Sequence, residues 1–345
     1  MSKSKRTLGL ALLVLLYLMS LSCSGGVRVK DQDAGGGDVI AETPIPDPGP
    51  TVEPVTKTPV PQREPTISRR EPTMEECRHW LTSSEELTVP IACPDWSFFR
   101  AELFKRGGGV FPVGEGRYYL AWFPDNWDTI TDRKVIISLH GTGGCAEWAL
   151  NQWYQATSHT WALVAMQYYD PESGHYDDDR VIYENLQSVL DDLKAHCPVA
   201  GSDVFYHGFS RGSAQSLPVA IRDRADRQIF SAFIADSGCS GPGYPTLQNQ
   251  PADALAGARF WMWCGENDVS TVDPSRMTCE VMDEDMRTYI EAHGGQVDAL
   301  IREEGGWHGM FNDCDAEGHN CVTRKAENLG PSLPVLFEYI ESFPQ

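Results

Sequence analysis

Cationic side chains are scarce in this 345-residue chain: 28 Lys and Arg stand against 49 Asp and Glu, a formal charge of −21. A nucleic-acid partner, bound by neutralising phosphates, is not expected on that balance. The acidity implies solubility and repulsion from anionic surfaces. No two of the ten cysteines stand at C-x-x-C spacing, which leaves a zinc or redox site without support. Asp313, Asp315 and Gly318 echo a calcium loop but lack its full ligand pattern and terminal Glu, so neither a metal nor another cofactor is expected. There are no internal repeats. The apolar run from Leu8 to Leu21 is too short and too early for a stable spanning helix.

That run follows Lys3, Lys5 and Arg6, the layout of a secretory signal over residues 1–23. It ends in Leu-Ser-Cys-Ser-Gly-Gly, which resembles a bacterial lipoprotein processing box with Ser20 where leucine is usual. The resemblance implies that Cys23 is acylated and becomes the mature N-terminus, so that an N-terminal lipid anchor makes a membrane the partner. Two or more acyl chains anchor stably where one does not. The other reading is an ordinary cleaved signal with an unmodified Cys23. Loss of the three signal cations makes the mature chain more acidic, at −24. Residues 24–74 are rich in Pro, Thr and Glu, have few large apolar residues and show no helical or strand period. Such a segment reads as a disordered tether, extended at about 3.1 Å per residue.

The export signal predicts disulfides among the nine remaining cysteines, with one thiol left over unless it pairs outside the chain. Cys77–Cys93 and Cys314–Cys321 are the expected local pairs, and Cys145 with Cys239 either pairs or fills core. Residues 75–345 are the right size for one α/β enzyme. Strands are predicted at 117–123, 134–139, 161–169, 203–207, 230–235, 259–264 and 297–302. Helices are predicted at 179–196 and after Ser210, then at roughly 275–293 and 332–343. Gly294-Gly295 ends the third of these, and the acidic run Asp177–Asp179 opens the first. The alternation predicts a mostly parallel central sheet flanked by helices on both faces.

Four pieces of chemistry fall on that frame. Gly208-Phe209-Ser210-Arg211-Gly212 is G-x-S-x-G, and it sits between a strand and a helix, as a nucleophile elbow requires. Glycines there, with small Ser213, relieve crowding of the turn against its neighbours. A serine nucleophile needs a base, and the base an orienting acid. His308, between Gly305-Gly306 and Gly309, is the expected base. His293 sits at a helix C-terminus beside Gly294, where a partly cationic imidazole suits the helix dipole, and reads as structural; His319 lies inside the expected Cys314–Cys321 loop. Asp268, straight after a strand, is the expected acid; Asp236 holds the next-best position, with Asp273 and Glu266 behind it. His140-Gly141-Thr142-Gly143-Gly144 follows another strand and suits an oxyanion loop. Its expected donor is the N–H of Thr142, with Gly143 as the alternative, beside the N–H of Arg211. His140 itself is expected to be structural.

Taken together, these pieces resemble the α/β-hydrolase superfamily over residues 110–345. The nearest likeness is to secreted polyhydroxybutyrate-depolymerase and feruloyl-esterase-like lipoproteins. That resemblance implies an exported, membrane-anchored serine esterase with a Ser210–His308–Asp268 triad and an acyl-enzyme. It also implies substrates of the polysaccharide-linked acyl, feruloyl or polyester type. Trp148, Trp153, Trp263 and Trp307 crowd the inferred loops, and Trp307, next to His308, is expected to touch substrate. No lipase-type lid insertion is evident. The rival readings are a peptidase with the same triad and a non-catalytic surface binding protein on this scaffold.

Overall fold

The computed structural model describes residues 70–344, apart from 87–95, 115, 158–159, 171–174, 241–243 and 315–320. The signal segment, Cys23, most of the tether, Cys93, Asp315, Gly318 and His319 therefore lie outside the described residues.

Eight strands form one sheet: β1 (Gly109–Val113), β2 (Arg117–Trp122), β3 (Lys134–Leu139), β4 (Ala162–Gln167), β7 (Asp203–Phe209), β8 (Ala232–Asp236), β9 (Arg259–Gly265) and β10 (Gln296–Glu303). Between β4 and β7 the chain makes a two-strand hairpin, β5 (Tyr169–Asp170) and β6 (His175–Tyr176). The sheet order is β1-β2-β4-β3-β7-β8-β9-β10. The β1–β2 and β2–β4 pairs are antiparallel, and every pair from β4 to β10 is parallel.

Parallel strands are covered on both faces, so their side chains on both sides must be apolar. Alternate residues of β3 and β7 show this. Ile136 and Phe205 join one buried layer with Trp261, while Ile137 and Tyr206 join the other with Phe260. Helix Asp179–His196 runs as predicted, and Asp178 caps it by accepting the Val181 N–H at 2.9 Å. The helix predicted at 275–293 is instead Thr278–Val281, a π-helical turn Met282–Arg287, and Thr288–Ala292. His293 is its C-cap, with Gly294 at φ 80° beyond.

Elements that the sequence reading did not anticipate include β1, the second hairpin strand β6 and the helices Met74–Ser83, Ser97–Lys105 and Ala146–Ala156. The last is buried on most of its surface, its polar residues Glu147, Asn151 and Gln152 included. Its Glu147 is buried against the Arg100 guanidinium at 2.7 Å and the Tyr118 hydroxyl at 2.9 Å, which compensates the charge.

Cys77 pairs with Cys197, not with Cys93 as expected. The helix Met74–Ser83 lies beside the C-terminal end of Asp179–His196, where Trp80 also stacks on His196 at 4.7 Å. Folding thus brings the Cys77 and Cys197 Cα atoms to 4.6 Å across 120 residues of chain. Closing a loop of that length stabilises by about 4–5 kcal/mol through the unfolded state. Cys314–Cys321 forms as predicted, and Cys264 pairs with Cys279. Cys145 and Cys239 are both buried. No helix among the described residues is long and apolar enough to cross a membrane.

Candidate active site

The loops after β3, β7, β8, β9 and β10 all leave the carboxyl ends of parallel strands. The chain runs from β3 to β4 on one side and to β7 on the other, so β3 marks a switch in strand order. A crevice forms outside the strand ends at such a point.

Ser210 occupies the sharp turn between β7 and the short helix Arg211–Ala214, with φ 53° and ψ −109°. A serine in that region stores roughly 1–3 kcal/mol of backbone strain. The surroundings enforce it. Ser210 donates its N–H to the Asp236 carbonyl at 2.7 Å, and Ala214 donates to the Ser210 carbonyl at 3.0 Å. A methyl at Gly208 would run into the Gly212 carbonyl, one at Gly212 into Leu139, and one at Gly238 into the Ser210 carbonyl. The Tyr206 hydroxyl donates to the Gly212 carbonyl at 2.6 Å, and Ser213 donates to Gly238 at 2.8 Å. Only hydrogen side chains at these glycines let three strands approach the elbow so closely.

His308 and Asp268 meet. The imidazole Nδ1 lies 3.0 and 2.9 Å from the two carboxylate oxygens. Asp268 is buried, while the His308 side chain is 39% exposed, so one face of the ring opens to solvent. Burial pushes the His308 pKa down, but the Asp268 carboxylate at hydrogen-bond distance and the nearby Asp236 charge outweigh it and hold it above the ordinary histidine value. The His308 ring packs on Phe209, the residue before Ser210, with centroids 5.0 Å apart. Gly309 has φ 101°, and a methyl there would come within 2.7 Å of the Phe209 ring, so the loop needs glycine at that position.

The other acids have different work. Asp236 does not orient the imidazole; it accepts the Met310 N–H at 3.1 Å, while Ser237 accepts the Gly309 N–H at 2.8 Å. Both tie the histidine loop to the end of β8. Glu266 accepts the Gly305 N–H at 3.1 Å, and Asp273 closes a local turn with Ser275. The Asp268 loop is held by Thr278, which donates its N–H to the Asp268 carbonyl at 2.8 Å, and by the Cys264–Cys279 disulfide that spans it.

On the other side of Ser210 lies the His140–Gly144 loop. Gly144 donates to the Gly141 carbonyl at 3.1 Å and Gly143 has φ 68°, the geometry of a turn that wants glycine at its third position. His140 is structural, as expected. It is fully buried, desolvation drops its pKa to about 4, and the neutral ring donates from Nδ1 to the Gly141 carbonyl at 2.8 Å. The Gly143 N–H is engaged by the Tyr176 hydroxyl at 2.6 Å, which leaves Thr142 as the stronger candidate donor of this loop. Arg211 opens the helix after the elbow, where backbone N–H groups point out of the helix end.

Of the four tryptophans singled out, Trp153 and Trp263 are core, with indole N–H groups on His207 and Glu303. Trp307 is half-buried beside His308. Trp148 instead lines a cleft of about 170 Å³ with Trp96, Phe209 and residues 141–145 of the loop after β3. Phe209 stands inside the recognised motif, so its place was visible; Trp96 and Tyr176 carried no sequence signal, because only folding brings them here. No group of three or more His, Cys, Asp or Glu among the described residues is arranged to hold a metal.

No protein-family model and no curated protein matches the chain. Solved structures do resemble it. A dienelactone hydrolase-like promiscuous phosphotriesterase, P91, from metagenomic libraries is 14% identical, with 68% of this chain and 97% of that one covered and a TM-score of 0.50. An esterase from Rhizomucor miehei is 14% identical over 77% of this chain and 95% of its own, with a TM-score of 0.46. Est1E from Butyrivibrio proteoclasticus is 14% identical over 68% and 97%, with a TM-score of 0.43. At such identities the likeness speaks for architecture. The chain has the α/β-hydrolase fold, a mostly parallel sheet of eight strands flanked by helices.

Proposed function

We propose that this protein is an exported serine esterase that hydrolyses carboxylic esters through Ser210, His308 and Asp268. The observation that carries the reading is the Asp268–His308 hydrogen-bonded pair presented beside a strained serine elbow. His308 removes the Ser210 hydroxyl proton as the oxygen attacks the ester carbonyl. The developing oxyanion is met by the N–H groups of Arg211 and Thr142. Collapse expels the alcohol, which takes its proton from His308, and leaves an acyl-serine. Water, deprotonated by His308, then attacks the acyl carbon and releases the acid. Asp268 accepts the Nδ1–H throughout and stabilises the imidazolium.

The cleft lined by Trp96, Trp148 and Phe209 has no charged side chain among its lining residues. It suits a flat, uncharged acyl group, which favours an aryl acyl ester such as a feruloyl group on polysaccharide over an aliphatic polyester. The basic, apolar and Cys23-containing N-terminus supports export and lipid anchoring, and the three disulfides suit an oxidising compartment. Labelling by a fluorophosphonate probe tests the nucleophile: the wild type is expected to react and Ser210→Ala to stay blank. A panel of short acyl esters, feruloyl esters, acetylated xylan and polyhydroxybutyrate tests the substrate class. Equal labelling of both proteins, or cleavage of peptide substrates with none of the esters touched, would sink the proposal. Palmitate incorporation lost in Cys23→Ala tests the anchor.

A further inference from the structure

Both walls of the oxyanion site converge on one side chain outside the catalytic motifs. The Tyr176 hydroxyl accepts the Gly143 N–H at 2.6 Å, and its ring carries the Arg211 guanidinium 3.9 Å from its centroid. The Thr142 side chain hydrogen-bonds to the same phenol. Gly143 belongs to the turn after β3, and Arg211 follows Ser210 in the turn after β7, so a single residue touches the two segments that supply the donors.

Tyr176 is itself firmly delivered. Its ring stacks on Tyr169 across the β5–β6 hairpin, with centroids 4.4 Å apart. The next residue, Asp177, receives two hydrogen bonds from the Arg117 guanidinium, at 2.8 and 3.0 Å, and donates its N–H to the Tyr168 carbonyl at 3.0 Å. Tyr168 in turn donates its hydroxyl to the His140 carbonyl at 2.6 Å, at the root of the same loop. Burial raises the Tyr176 pKa, so the phenol is neutral across the working range.

The turn makes this contact matter. Turns with and without a left-handed third residue differ chiefly by a flip of the central peptide, here Thr142–Gly143. One orientation directs the Gly143 N–H at Tyr176; the other would direct the Thr142 carbonyl there. A carbonyl facing the phenol can only accept from it, and such a flip turns the backbone immediately after the Thr142 N–H, the loop's candidate donor. We propose that Tyr176 is a positioning residue of the oxyanion site, its hydroxyl holding the Thr142–Gly143 peptide in one orientation and its ring holding the Arg211 side chain. The proposal rests on Ser210 being the nucleophile, which fluorophosphonate labelling of the wild type reports separately.

The test is Tyr176→Phe, which keeps the ring under Arg211 and deletes the hydroxyl, alongside Tyr176→Leu, which deletes both. Hydrolysis is followed with a short acyl ester, and affinity is measured for a trifluoromethyl ketone that forms a tetrahedral adduct on Ser210 and for the product acid. Direct loss of an oxyanion donor costs about 10²–10³ in kcat. The indirect loss in Tyr176→Phe is expected to be about tenfold to a hundredfold, larger in Tyr176→Leu, with KM and product affinity within about twofold. Ketone affinity should fall by the same factor as kcat/KM. A role confined to stability would lower the melting temperature and leave kcat and ketone affinity of the folded variant at their wild-type values. Tyr176→Phe with wild-type kcat and ketone affinity, or with the loss entirely in KM, overturns the proposal. An unlabelled wild type removes the nucleophile, and the role of Tyr176 with it.

Discussion

Gly141 faces Ser210, and adding one methyl group there is a sharp test of how the site is built. A Cβ at Gly141 would lie 2.9 Å from two atoms of the Phe209 ring and 3.1 Å from the Ser210 Cβ. Carbon atoms rest comfortably at about 3.5–4.0 Å, so Gly141→Ala demands roughly half an ångström of separation between the oxyanion loop and the elbow. The ring has little room to yield, since His308 and Trp148 pack on it at 5.0 and 5.5 Å between centroids and Gly309 closes its edge. Ser210 is fixed by its own strained turn. The loop must therefore retreat from the serine. Overpacking of this kind costs about 1–3 kcal/mol, which lowers Tm by about 3–10 °C in a domain of this size. A misplacement of 1 Å costs about a hundredfold in rate, so about tenfold or more in kcat is expected for the half-ångström shift. The control is Gly201→Ala, where φ is 73° and no atom lies within 4 Å of the added methyl. Strain there costs about 1 kcal/mol with no change in kcat. Melting curves and kcat on a short acyl ester decide it. Gly141→Ala with kcat within twofold of the wild type, or Gly201→Ala losing as much rate, would refute the packing argument.

Three further outcomes follow from the electrostatics and the cross-links. Because the His308 pKa is held above its ordinary value and the base works when neutral, kcat/KM should fall on the acid side with a midpoint above the usual histidine range; Asp236→Asn removes one of the raising charges and should move that limb to lower pH, as read from a pH–rate profile. His140 binds its proton only near pH 4 when folded but near 6.5 when unfolded, so the stability its neutral form confers is present above pH 6.5 and lost as pH falls through about 4, a loss of about 3 kcal/mol in total; urea unfolding at pH 7 and 4.5 should show a much smaller pH effect in His140→Gln. Replacing Cys264 and Cys279 together by Ser opens the 15-residue loop that carries Asp268, which should cost about 3 kcal/mol and also lower kcat, because the acid is no longer held under His308; unchanged kcat in the folded variant would show that the cross-link does not serve the acid.

Legibility was uneven for physical reasons. Helix Asp179–His196 was plain, because one face meets core and the other water and the 3.6-residue period survives in the sequence. Helix Ala146–Ala156 was less plain, because it is short and its polar residues Glu147, Asn151 and Gln152 are buried with the apolar ones. The pairing of Cys77 was misjudged for a related reason: proximity in the chain is a poor guide once a helix packs across a sheet. Asp236 ends β8 and Asp268 lies in the turn just after β9, so position alone ranks them without separating their work. The distances separate them, with one carboxylate on the imidazole and the other on the backbone of its loop.

Ser210, Asp268 and His308 could be singled out as candidates from the sequence by itself, because the proposed chemistry demands fixed residue types in a fixed order and the glycines around Ser210 mark where strands must touch. The parallel sheet was available too, since strands buried on both faces have to be apolar throughout. Tertiary structure alone decided that Tyr176 grips Gly143 and underlies Arg211, that the cleft beside the serine is lined by Trp96 and Trp148, and that Cys197 rather than Cys93 meets Cys77. These are contacts between distant segments, set by how whole elements pack, and no local pattern of residues encodes them.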